Sequence, residues 1–388
     1  MANTGREQEP ETRAITAGRD ESGSLAPALW ASSAWDVHDL DGAHAGATAV
    51  HTVGNYSRYA NPTVQSFEHA IAELEGTESA LAFASGMGAI ASTVFALCSR
   101  GDHIVAQRAM YAGTLSFLNG PCQRMGIDVT YVDGCNANEF AAAVQPGKTT
   151  LILAETPSNP QFELIDLAAL GAIKGPFTMV DSTLATPLGQ QPCKYGVSIT
   201  MHSATKGIAG HNDATLGVIA GEKELIDGIW SYSVLHGATA SPFDALNGLR
   251  GLRSLGVRLR HQSETALRLA EWLSAHPAVN KVNYPGLPSH PQHDLAKRQM
   301  QQFGSLFSVD IKGGVQAARR LTQQLKLIRN APTFGGPDTL ITHSATSTHL
   351  SVDPAVKTAT GITDSLLRVT VGLEAFEDLR SDFAAALA

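Results

Sequence analysis

The 388-residue sequence is poor in cysteine, with 4, and in aromatic residues, at 6%. Cys98, Cys122, Cys135 and Cys193 are scattered and form no CxxC pair, so neither a disulfide framework nor a thiolate zinc site is signalled. Runs of lysine or arginine are also lacking, and a formal net charge of −8 gives no footprint for nucleic acid or an anionic membrane. No apolar run approaches the ~20 residues that span a bilayer, because Gly, Ser or charge interrupts each one. The opening stretch MANTGREQEPETRAITAGRDESG lacks the basic-then-apolar order of a secretory leader. These absences leave a cytoplasmic chain with a small-molecule partner, and neither a nucleic-acid nor a membrane partner, as the expectation.

What is present is ordinary for an α/β protein: 43% hydrophobic residues, 16% charged, 36 Gly and 18 Pro. The length exceeds what one core usually accommodates, so a large domain with a smaller one attached is expected. Residues 1–60 are rich in Gly, Ala and His with little period, which suggests an extended N-terminal arm reaching a neighbouring subunit. From Asn61 the pattern turns regular. Asn61 can cap, Pro62 suits the first helical position, and Phe67, Ile71 and Leu74 recur at helical spacing until Gly76.

Short apolar runs then alternate with longer amphipathic stretches: SALAF, MGAIASTVFALCSR, HIVAQ, DVTYV, TLILAE and FTMVD. This β-α-β rhythm predicts a mainly parallel sheet covered by helices on both faces, with ligands beyond the carboxyl ends of its strands. A long helix from Pro242 to about Ala275 should lead out of a large domain spanning 61–250. Residues 251–388 then read as a small α+β domain built from AVNKVNYP, SLFSVDIKGG, VQAARRLTQQL, LLRVTVG and a closing helix.

The strongest constellation is VDSTLATP, with Asp181 just after an apolar strand, followed 25 residues later by Lys206 in HSATKG. Taken singly, Asp181 also reads as a turn cap and Lys206 as a solvated charge. Together they are the pair that pyridoxal phosphate (PLP) requires: a lysine to form the Schiff base and an acid to keep the pyridine nitrogen protonated. Ser203 and Thr205 could hold the phosphate. Ser85, Gly86 and Met87, between a strand and a helix, could grip the same anion with backbone N–H groups. Tyr111 could stack on the ring. Arg368, a charge inside an apolar strand, needs a partner such as a carboxylate.

Three other motifs compete. GMGAIA is also a dinucleotide fingerprint, but that reading wants an acid ending the next strand, and HIVAQ ends in Gln107. Ser203 to Lys206 is also an S-x-x-K, the signature of serine acyl hydrolases, but no KTG or SDN accompanies it. His290 with His293, or His343 with His349, could suggest a metal; without an HExxH or a carboxylate nearby they read as solvated or core histidines, and no metal is expected.

With YSRYANPT, ASGMGA, MYAGT, ETPSNP, VDSTLATP, HSATKG, LRGL, YPGLPSHPQH and LLRVTVGLE in this order, the chain resembles the Cys/Met-metabolism PLP family. That family includes cystathionine γ-synthase, cystathionine γ-lyase, methionine γ-lyase and the homoserine sulfhydrylases. The resemblance implies the aspartate-aminotransferase-like fold (fold type I) in a homotetramer, a dimer of dimers with shared active sites. Tyr56 and Arg58 would reach the neighbour's phosphate, and Ser85, Gly86, Met87, Ser203 and Thr205 would bind phosphate within the subunit. Tyr111 would stack on the ring, Asp181 would pair with its nitrogen and Asn159 would touch its hydroxyl side. Arg368, with Thr333 and Tyr56, would take the substrate, and Lys206 and Tyr111 would be catalytic.

SGMGAIAS, HSATK and IKGGVQAARR are most similar to methionine γ-lyase. Where those enzymes carry a Cys and a Lys-Asp pair, this chain has Gly113 and Ser233-Val234. Where cystathionine-handling members carry a Glu and an Arg for the far end of the substrate, it has Pro332 and Ser116. The usual Tyr after the lysine is Gly207, and the usual Asn after the aspartate is Ser182. The resemblance therefore implies γ-elimination on a methionine- or homocysteine-like amino acid, with γ-replacement by an O-acyl-homoserine sulfhydrylase or cystathionine γ-synthase-like synthase as the alternative.

Overall fold

The computed structural model describes residues 8–19, 23–350, 357 and 360–388; parts of the expected arm, residues 1–7 and 20–22, lie outside these. Seven strands form the large sheet: β1 (Ser79–Phe83), β2 (His103–Gln107), β3 (Asp128–Val132), β4 (Thr149–Glu155), β5 (Phe177–Asp181), β6 (Ile199–His202) and β7 (Gly217–Gly221). Their order is β1-β7-β6-β5-β4-β2-β3, and only β7 runs against the others. β2, β6 and β7 are buried along their whole length, as expected of strands with helices on both faces.

The helix Pro62–Glu75 forms as its signals require. The Asn61 side chain accepts the Thr63 N–H at 3.0 Å, Pro62 occupies the first turn, and Gly76 closes it with a left-handed φ of 69°. Phe67, Ile71 and Leu74 are fully buried against one face of the sheet. The other face is covered by the helices Gly86–Leu97 and Lys223–His236.

The long helix Pro242–Ser274 serves two cores. Its first half gives Leu249, Leu252, Leu255 and Leu259 to the large-sheet core, and its second half gives Ala266, Leu269 and Leu273 to the core of the small sheet. That sheet has strands β8 (Val279–Asn283), β9 (Leu306–Ile311), β10 (Arg329–Asn330), β11 (Leu340–His343) and β12 (Leu366–Thr370), in the order β10-β11-β12-β9-β8. β12 is central, so Arg368 projects from the middle of the sheet, paired with Thr342 and Ser308 on its neighbours.

The described part of residues 1–60 contains two short helices. Pro10 opens the helix Pro10–Thr16, and the Asp39 side chain caps the helix Leu40–Thr48 through the Gly42 N–H at 2.6 Å. Local capping wins over weak periodicity there. Among the described residues no helix is long and apolar enough to cross a membrane.

Candidate active site

The carboxyl ends of five strands of the large sheet converge with the small sheet on one cavity of about 220 Å³. Each of these five strands supplies at least one group, at its end or in the loop that follows. After β1 come Ser85, Gly86 and Met87; the Ser85 Oγ accepts the Gly88 N–H at 3.0 Å and so caps the helix Gly86–Leu97 at the cavity wall. A Cβ on Gly86 would stand 2.8 Å from the Ser203 Cβ, so only glycine leaves room between the two loops.

After β2 comes Tyr111, whose backbone N–H donates to the Glu155 Oε2 at 2.7 Å. Its ring is 45% exposed and leans on Gly113, where a Cβ would lie 2.4 Å from the Tyr111 Cε1. β4 ends in Glu155 and leads to Asn159, whose N–H donates to the Glu155 Oε1 at 2.9 Å. β5 ends in Asp181, in register beside Glu155. The Thr183 N–H and hydroxyl both donate to the Asp181 Oδ1, at 3.0 and 2.5 Å, which spares Oδ2.

β6 leads to Ser203, Thr205 and Lys206. The Ser203 N–H donates to the Thr183 Oγ1 at 2.7 Å, and the Thr205 hydroxyl is bonded to the backbone of Leu216. The Lys206 Nζ donates to the Thr333 Oγ1 at 2.9 Å, not to Ser203, and lies 5.2 Å from the Phe334 ring. From the small sheet, Arg368 donates to the Thr333 carbonyl at 3.0 Å and to the Asn159 Oδ1 at 3.5 Å. The protein acceptors bonded to this buried cation are therefore neutral, and its Nε–H has no partner among the described residues.

The electrostatics follow from burial. It pushes both Glu155 and Asp181 above the ordinary carboxylate range, Glu155 further because Asp181 stands beside it. Burial, with Arg368 nearby, pulls Lys206 below the usual lysine value. Arg368 itself falls to about 10 from burial, opposed by Glu155.

Ten of the sequence-predicted residues thus line one cavity, and Thr333 adjoins it through Lys206. Tyr56 and Arg58 do not: Arg58 donates to the Val234 carbonyl at 2.6 Å and sits over the Tyr56 and Tyr59 rings, and Tyr56 is 42% exposed. His290 and His349 are buried, and burial pulls each down to about 4. Among the described residues no His, Cys, Asp and Glu gather in a group that could hold a metal. Sequence reasoning missed Glu155 and Thr183.

A mainly parallel sheet with a lysine, an acid and a helix start gathered at its carboxyl ends is the frame of a PLP enzyme. The chain belongs to the Cys/Met metabolism PLP-dependent enzyme family, whose model matches residues 11–388, and its cofactor is pyridoxal 5′-phosphate. It is 42% identical to the O-succinylhomoserine sulfhydrylase of Pseudomonas aeruginosa, over 97% of this chain and 95% of that one. It is 40% identical to an L-methionine gamma-lyase of Fusobacterium nucleatum subsp. polymorphum, over 84% of each. Its fold matches the solved cystathionine gamma synthase of Xanthomonas oryzae pv. oryzae with a TM-score of 0.92 at 34% identity, covering 98% of both chains.

The lining fits that cofactor on three counts. The Lys206 amine is held by a neutral hydroxyl, not an acid. The Gly86 cradle opens at a helix start, where backbone N–H groups favour an anion. The Asp181 Oδ2 is spared by its own turn.

Proposed function

We propose that this chain catalyses γ-elimination on a methionine- or homocysteine-like amino acid, consuming water and releasing 2-oxobutyrate, ammonia and a thiol. The observation that carries the reading is the cavity wall. Pro332 stands in it with Met87, Ile90, Leu184 and Phe334, so it is largely apolar. Lys206, Asp181 and Arg368 are assigned below, and both Glu155 oxygens are taken by backbone N–H groups. A second charged end on the substrate would go unpaired there, which is costly in a partly buried site.

When bound, PLP supplies an aldehyde that amines can bond and a ring that takes up electron density. The residues supply the rest. Gly86 and Met87, with Ser85, Ser203 and Thr205, would hold the phosphate, and Tyr56 and Arg58 would complete that grip in a neighbouring copy within a homotetramer. Asp181 would keep a proton on the ring nitrogen, Asn159 would face the ring hydroxyl and Tyr111 would cover the ring. Arg368, with Thr333, would bind the substrate α-carboxylate. Lys206, released by the incoming substrate amine, would take the α-proton at Nζ, a role its depressed basicity supports. A second proton would then leave the β-carbon, so that its bonding electrons form the new double bond as the γ-sulfur departs, with the Tyr111 hydroxyl donating a proton to that sulfur.

A second reading, γ-replacement, is favoured by the 42% identity to an O-succinylhomoserine sulfhydrylase. The same groups would then admit a thiol where elimination admits water. Comparing kcat/KM for L-methionine and L-cystathionine tests the selectivity of this wall. We expect methionine to be preferred by about tenfold or more, the equivalent of one unpaired polar group; an equal or reversed preference contradicts it.

A further inference from the structure

Glu155 has no part in the chemistry proposed above, yet it is 3% exposed and lines the cavity. Burying a carboxyl there is unfavourable, and the arrangement around it is specific. Its Oε1 accepts the Asn159 N–H at 2.9 Å and its Oε2 accepts the Tyr111 N–H at 2.7 Å. Its own N–H donates to the Gln107 Oε1 at 2.8 Å, which ties the end of β4 to the end of β2. One side chain thus joins the loop carrying Tyr111 to the loop carrying Asn159, and Asn159 in turn accepts from Arg368.

We propose that Glu155 is a positioning residue that sets Tyr111, Asn159 and, through Asn159, Arg368 as one rigid unit on the ring side of the cavity. The inference rests on the cofactor-site reading above. The phosphate side is built separately, by the cap at Ser85 and by the Thr183–Ser203 bond, and Glu155 touches neither. The two sides should therefore come apart under mutation.

The variant Glu155→Gln keeps one acceptor and turns an amide donor toward a backbone donor, so one of the two loops is released. The cofactor-free wild type and variant are titrated with PLP by absorbance and with inorganic phosphate by calorimetry, and KM and kcat are taken on the loaded enzymes. We expect PLP affinity to fall about tenfold, phosphate affinity to stay within twofold, and KM to rise more than kcat falls. Parallel loss of PLP and phosphate affinity, or no change in either, overturns the proposal. If Glu155→Gln does not fold, Glu155→Asp, which keeps the carboxyl group but withdraws both oxygens by one methylene, is read the same way; failure of both to fold makes the residue structural and also overturns it. A wild type that ignores PLP overturns the cofactor-site reading itself, whereas a variant that binds PLP as the wild type does overturns only the role of Glu155.

Discussion

Asp181 shows how one residue trades stability for chemistry. Burial raises its folded-state pKa above the ordinary value of 3.8, so the folded chain holds this proton more tightly than the unfolded one. The stability it contributes is fully present below the unfolded pKa and is lost as pH rises through the folded one. In the cofactor-free protein, Asp181→Asn should therefore unfold at a higher temperature than the wild type at neutral pH, and the difference should vanish in acid below about pH 4. Turnover should fall by at least about a hundredfold, because Asn cannot keep the ring nitrogen protonated. Thermal scans from pH 3 to 8 and kcat measurements check both halves, and a variant less stable at every pH contradicts the argument.

The same residue explains what was legible. A charge ending an apolar strand singled out Asp181 in FTMVD, and it could equally have singled out Glu155 at the end of TLILAE. Glu155 went unread because its partners are the backbones of Tyr111 and Asn159, residues 44 and 4 positions away, and backbone donors leave no mark in sequence. Arg368 was legible as a buried charge in need of a partner, but its protein partners, the Asn159 amide oxygen and the Thr333 carbonyl, were not, since a tertiary partner cannot be deduced from the strand that carries the charge.

At the scale of elements, caps and periodicity carried most of the information. Asn61, Pro62 and Gly76 bound a helix from Pro62 to Glu75 because each meets a local backbone need. The long helix was legible as one that leads out of the large domain, but the division of its apolar residues between two cores was not, because the second core is assembled from strands beyond it. The loop from Ser85 into the helix Gly86–Leu97 gives the prediction at this scale. In Gly86→Ala the added methyl meets Ser203 at 2.8 Å, and overpacking of this kind costs about 1–3 kcal/mol. We expect PLP binding to weaken about tenfold or more while circular dichroism stays native, as measured by titration of the cofactor-free protein. Unchanged affinity would place the phosphate elsewhere.

At the scale of the whole molecule, Tyr56 and Arg58 stand away from the cavity of their own chain, beside a stretch that exposes Leu25, Leu29, Trp30 and Val53. The proposal that they complete the site of a second copy calls for a test with two copies present. If sites are shared, Lys206→Ala and Arg58→Ala damage different halves of the same site. Mixed and reassembled, the two inactive variants should regain about a quarter of wild-type turnover, because only hybrids hold an intact site. No recovery on mixing would contradict shared sites.

The central claim is elimination without a second substrate. The most direct test measures 2-oxobutyrate released by the PLP-loaded protein from L-methionine, L-homocysteine and O-acetyl-L-homoserine, each with and without added thiol. Release from methionine or homocysteine with no thiol present is the expected result. Reaction of the acyl-homoserine alone, with added thiol diverting the product to a thioether amino acid, would contradict it and make the chain a sulfhydrylase-type synthase.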